Sequence, residues 1–155
     1  MATHSALTGA ELHEPKGAAA ASANEVYVAN GDGASGTWTS TANAYKHILN
    51  VSITDISASA SYWVVAPVAG NIVGYSCVID GVLITGDATL TLEVGGTLVG
   101  SSGMTVAFTG SAAGTVDTVA TTATAVTAGQ AIEVITDGGS TNVVRAQISI
   151  EMDVS

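Results

Sequence analysis

The chain holds few side chains suited to neutral-pH catalysis or metal binding: His4, His13, His47 and the single cysteine, Cys77. His13-Glu14 matches the start of His-Glu-x-x-His. That motif works because two imidazoles one helical turn apart converge on zinc. Here Gly17 takes the second histidine's place, and Pro15 breaks the helix the geometry needs. His4 and His13 precede any periodic segment, where no rigid geometry is expected. His47 follows Lys46 in a strand-like run and is expected at a surface or interface. No Gly-x-Ser-x-Gly elbow occurs. No catalytic residue and no metal site is therefore expected, and the chain reads as a non-enzyme.

Nucleotide chemistry fares no better. Gly31-Asp32-Gly33-Ala34-Ser35-Gly36 matches Gly-x-Gly-x-x-Gly by letters. That fingerprint needs a strand before it and a helix after it. Thr37-Trp38-Thr39-Ser40 follows instead, and it is β-like. No Gly-Lys-Ser/Thr exists to cradle a phosphate. Asn30-Gly31-Asp32-Gly33, Asp80 and Asp137 offer oxygens, but calcium takes roughly six to eight of them. They read as turn formers, and no cofactor is expected.

The aromatic residues leave one option open. They are Tyr27, Trp38, Tyr45, Tyr62, Trp63, Tyr75 and Phe108. Adjacent Tyr62 and Trp63 on a strand point to opposite faces, so one faces away from the main core. It then offers a sugar-stacking platform or a subunit contact. The contact is favoured, because exposed apolar strand faces typify interfaces.

Positioning these residues falls to a chain built for β-structure. Of 155 residues 47% are hydrophobic, yet only 10% are charged, against roughly 25% in ordinary soluble domains. Small and β-branched residues suit pleated surfaces and tight turns. Lys16, Lys46 and Arg145 face 13 acidic residues, for a formal net charge of -10. That excludes a cationic footprint for nucleic acid or anionic lipid, and it favours solubility. A lone cysteine cannot form an intrachain disulfide; within Val73–Ile79 it reads as a small buried hydrophobe. The uncharged windows Ile56–Ile79 and Val94–Val116 carry proline and glycines that exclude membrane helices. Met1-Ala2-Thr3-His4 begins no cationic and apolar leader, so no signal peptide is expected.

Three segments are expected. Residues 1–24 lack a sustained apolar period and read as an extended arm that orders on a partner. Residues 25–40 read as a short hairpin or connector, with Val26-Tyr27-Val28 and Trp38 flanking the Asn30–Gly33 turn. Residues 41–155 read as an antiparallel β-sandwich, jelly-roll-like, of about eight strands. The expected strands are Ala44–Asp55, Ser61–Ala66, Asn71–Ile79, Ala88–Val94, Met104–Phe108, Thr115–Ala120, Ala131–Thr136 and Val143–Asp153. Period-two alternation is clearest in the last, where Val144, Ala146, Ile148, Ile150 and Met152 share one face. Ser61–Ala66 and Ile72–Ile79 are apolar on both faces, which suggests a subunit contact.

Leu7-Thr8-Gly9, Leu12-His13-Glu14-Pro15-Lys16-Gly17, Val26-Tyr27-Val28-Ala29 and Gly36-Thr37-Trp38 together resemble the N-terminal segment of small tailed-phage virion proteins. These are the capsid decoration (cement) and head-fibre proteins. Val65–Ile72, Ile79-Asp80-Gly81, Gly86–Leu92 and Ala128–Val134 are also similar to them. The resemblance implies a structural virion protein with no catalysed reaction, bound outside an icosahedral shell, often as a trimer. Its partners would be the major capsid protein and other copies of itself. Its place would be the outer capsid surface, after assembly in the host cytoplasm. On this view Leu12, His13, Glu14, Pro15, Lys16 and Gly17 form a capsid-docking strap, and Tyr27, Trp38, Tyr62 and Trp63 serve the arm's base or the oligomer contact. The rival expectation is a carbohydrate-binding or host-adhesion module that stacks sugars on Trp63, Tyr62 or Trp38.

Overall fold

A computed structural model describes residues 25–28, 37–40, 46–101 and 103–154. The chain divides into two compact units, Met1–Ala44 and Tyr45–Ser155. In the first, β1 (Glu25–Val28) pairs antiparallel with β2 (Thr37–Ser40). Tyr27 and Trp38 are register partners there.

The second unit is all β, with nine strands in two antiparallel sheets. They are β3 (Lys46–Ile53), β4 (Ser59–Val65), β5 (Gly70–Ile79), β6 (Ala88–Val94), β7 (Thr97–Leu98), β8 (Met104–Val106), β9 (Val116–Val126), β10 (Ala131–Asp137) and β11 (Ala146–Val154). One sheet runs β3-β11-β5-β9. The other runs β4-β10-β6-β7, with β8 also paired to β6. No helix among the described residues is long and apolar enough to cross a membrane.

Alternation explains the core. Leu49, Val51 and Ile53 of β3 are buried while Ile48, Asn50 and Ser52 are exposed. Ala146, Ile148, Ile150 and Met152 of β11 do the same, as do Ala88, Leu90, Leu92 and Val94 of β6. Inner faces of both sheets merge into one apolar cluster. Each fully buried aliphatic side chain contributes about 1.5–3 kcal/mol. Tyr75 spans the layers, its hydroxyl donating to Leu90 O at 3.5 Å. Burial raises its pKa, opposed by a backbone hydrogen bond at Met104.

The strand expectations need correction at several points: β3 stops at Ile53 rather than Asp55, and β4 spans Ser59–Val65 rather than Ser61–Ala66. β7 is an additional strand, too short to show a period. β9 continues to Val126 although Thr121–Ala125 carries no apolar alternation; it is held by pairing with β5 across a register shift between Ile72 and Gly74. Phe108 lies outside β8. Val143, Val144 and Arg145 precede the ladder of β11, which starts at Ala146.

Of the buried polar residues Ser57, Ser111, Thr136 and Ser140, only Thr136 lies within a strand. Thr136 of β10 is fully buried. Its hydroxyl donates to Ala58 O and accepts from Ala60 N at 3.0 Å. A buried hydroxyl without partners would be costly; here it pins the start of β4.

Candidate functional site

Two surfaces of the second unit stand out. The first is the outer face of β4. Tyr62 is half-buried and packs on the core, with its hydroxyl 3.0 Å from Thr54 Oγ1. Trp63 points the other way and is 61% exposed, and Val65 on the same face is 59% exposed. Trp63 lies opposite Glu133 of β10, which lies opposite Glu93 of β6. This row therefore lines up an open indole, the Glu133 carboxylate next to it and Glu93 one strand further on. Like charges directly opposite oppose sheet pairing. The ion pairs among the described residues, Lys46 with Glu151 and Arg145 with Asp80, involve neither glutamate.

The second surface is an end of the unit where four loops meet. They are residues 54–58, 80–87, 107–115 and 138–145. Aspartates and hydroxyls hold them together. Asp55 Oδ1 accepts from Ser57 N at 2.9 Å and Val144 N at 3.3 Å. Asp80 Oδ1 accepts from Arg145 N at 2.8 Å, and Asp80 Oδ2 accepts from Arg145 Nε at 2.7 Å. The Arg145 side-chain hydrogen bond holds the Asp80 carboxyl below its ordinary pKa. Asp87 Oδ1 accepts from Phe108 N, and Asp137 Oδ1 accepts from Thr89 N. Ser111 Oγ accepts from Leu83 N at 2.9 Å. Ser140 Oγ accepts from Ile84 N at 3.1 Å and donates to Ile84 O.

These bonds fix an out-in-out pattern. Val82 is 54% exposed, Leu83 is 1% exposed and Ile84 is 52% exposed. Val143 on the facing loop is 77% exposed. Asn142 Nδ2 donates to Val82 O, so the two loops are in register. Backbones approach closely: a Cβ on Gly139 would lie 2.2 Å from Asp87 O, and one on Gly86 would lie 2.6 Å from Gly139 O. Thr85 holds φ at 77°, a position that strains a β-branched residue. The result is a rigid apolar tip.

A shallow depression of about 420 Å³ lies beside this end, lined by Ser52, Thr54, Val78, Asp80, Arg145 and Gln147 among others. Its polar groups are already engaged, Thr54 with the Tyr62 hydroxyl and the others with one another. Ser52 Oγ donates to Gln147 Oε1 at 2.9 Å, and Arg145 holds Asp80. A hydroxyl that donates to an amide oxygen has no base to activate it. No group of three or more His, Cys, Asp or Glu among the described residues could hold a metal ion. Cys77 is buried, and burial pushes its thiol up to about 12, with Asp117 adding to the effect. A thiol so raised is a poor nucleophile.

The expected site residues fall in different places. Leu12, His13, Glu14, Pro15, Lys16 and Gly17 lie outside the described residues. Tyr27 and Trp38 are register partners of β1 and β2 in the first unit. Tyr62 and Trp63 sit on opposite faces of β4, with Trp63 outward. Asp80 and Asp137, considered as calcium ligands, bond backbone N–H groups at turns. The apolar tip lies outside the sequence expectations. Its signal is the triplet Val82-Leu83-Ile84 between Asp80-Gly81 and Gly86-Asp87, too short for a strand pattern and too apolar for an ordinary turn. A scan against protein families and a search of curated proteins find no match for this chain.

Proposed function

We propose that the chain is a structural virion protein that binds the outside of a phage capsid as a homotrimer and stabilises it. The observation that carries this reading is apolar surface exposed in two places, at Trp63 and Val65 and at Val82, Ile84 and Val143. Such surface on a charge-poor β unit suits burial against protein partners. The strand order supports a jelly-roll assignment. Leaving β7 aside, β3-β11-β5-β9 lies in one sheet and β4-β10-β6-β8 in the other, and successive strands change sheet at every step but β6 to β8. Two Greek keys folded in this way recur in capsid and lectin domains. Fold alone does not define function; the resemblance of Leu7–Gly17 and Gly36-Thr37-Trp38 to decoration proteins supplies the capsid partner.

The mechanism is mechanical. Leu12–Gly17 serves as a strap over capsid subunits, with Lys16 its cation. Ordering a segment on binding exchanges conformational entropy for a wide footprint. Three straps on one oligomer raise avidity through effective concentration. The test is removal of residues 1–24. The truncated chain should fold and keep a copy number that is a multiple of three, yet lose capsid binding in a sedimentation assay. Full capsid occupancy by the truncated chain would refute the strap.

One observation favours a second reading, host adhesion through glycans. Trp63 presents an open indole beside Glu133, with Glu93 one strand further on, and a flat aromatic near hydrogen-bond acceptors suits sugar stacking. A glycan array decides it: a specific signal abolished by Trp63→Ala supports adhesion, and a blank array removes it.

A further inference from the structure

Strand edges are the places where β proteins meet unwanted partners, and folded proteins blunt them with charge, bulges, proline or short length. In the second unit three of the four sheet margins are blunted. β3 carries exposed Lys46, bonded to Glu151 at 3.0 Å. β9 carries Asp117 and a register shift opposite Ile72 and Gly74. Beyond β6 lie only the two residues of β7 and the three of β8. β4 differs. It is Ser59-Ala60-Ser61-Tyr62-Trp63-Val64-Val65, with no charge and no proline. It pairs with β10 without a register shift along its whole length. Its other side meets no strand among the described residues.

We infer that the free edge of β4 pairs antiparallel with β4 of a second copy, about a twofold axis at Tyr62. Three observations select a copy of the chain. First, two copies of a chain with net charge -10 repel each other, and the uncharged β4 is an edge where they can meet without a local like-charge contact. Second, a continuous sheet with both cores on one side requires outward residues to face outward residues. The register centred on Tyr62 satisfies this and pairs all seven residues. Third, that register sets small against large at every off-axis position. Ser61 faces Trp63, Ser59 faces Val65 and Ala60 faces Val64. The two Trp63 indoles become diagonal neighbours, within reach of each other across the axis.

A twofold contact cannot close a trimer. It joins one oligomer to another and doubles whatever the rest of the molecule assembles. On an icosahedral shell, the twofold axes between neighbouring sites supply the symmetry it needs. The inference stands on the edge and its residues, so it does not depend on capsid binding.

The test uses the full chain. Directly opposite residues of an antiparallel pair have Cα atoms about 4.5–5.5 Å apart, which a disulfide can span. Tyr62→Cys should therefore give mostly covalent dimers on mild oxidation, read on a non-reducing denaturing gel. Ser59→Cys should give none, because its own copy lies about 20 Å along the strand. Cys77 is buried and does not compete. Trp63→Lys alters an exposed side chain, so the fold should persist by circular dichroism. It should halve the mass measured by light scattering. Equal cross-linking of Tyr62→Cys and Ser59→Cys, or none by Tyr62→Cys, would overturn the twofold register. An unchanged mass for Trp63→Lys would overturn pairing between copies.

Discussion

Leu83→Ala tests whether the apolar tip is anchored as described. Leu83 is fully buried between two residues that are half exposed. The substitution removes three carbons from the core, at about 0.8 kcal/mol each, or about 2.4 kcal/mol in transfer terms. A cavity adds to that, and buried leucine truncations commonly total about 2.7–5.0 kcal/mol. Leu83 lies beneath a loop, which can settle further than a strand between two sheets. The expected loss is therefore near the lower bound, about 3 kcal/mol. Val82→Ala and Ile84→Ala remove carbons that are already largely in water and should each cost about 0.5 kcal/mol or less. Equilibrium urea unfolding at one fixed protein concentration measures the contrast, since association shifts apparent stability. With a slope of about 1.5 kcal/mol per molar, Leu83→Ala moves the midpoint by about 2 M, and the neighbours barely move it. Similar losses at all three positions, or less than about 1 kcal/mol at Leu83, would refute the anchored tip.

Two further outcomes follow from the same geometry. Burial raises the Cys77 thiol from 9.0 to about 12, so the folded chain keeps a proton that the unfolded chain loses. Stability should be flat below about pH 9 and fall between there and pH 12, by up to about 1.4 kcal/mol per pH unit. Tyr75, also raised, adds to the upper part of that range. Urea midpoints across pH should show the fall, and Cys77→Ala should flatten its lower part. At the loop end, Arg145→Ala should shift the urea midpoint less than Asp80→Ala does. The first removes only the exposed ion pair, and exposed pairs contribute little; the second also strips the Arg145 backbone N–H of its acceptor.

Much of the fold was legible because strand periodicity is local. Val144 to Met152 and Leu49 to Ile53 alternate in the sequence and alternate in burial. Every strand of the second unit but Thr97–Leu98 overlaps a run marked by apolar alternation or glycine-bounded turns. The opposed faces of Tyr62 and Trp63 follow from the same pleat. Thr121–Val126 was not legible, since its threonines and alanines differ too little in size and polarity to mark a buried face, and only pairing with β5 makes them a strand.

What the sequence determined by itself is the all-β character, the poverty of chemical groups and the acidic charge. Each depends on residue type or on spacing within a few positions. Tertiary structure alone decided which strands lie at the edge and which loops meet. Trp63 is open because β4 ends its sheet, and Glu133 meets Glu93 because β10 pairs with β6. Val82, Ile84 and Val143 form one tip because loops about 60 residues apart in sequence share hydrogen bonds. These outcomes are fixed by contacts distant along the chain, and no local pattern encodes them.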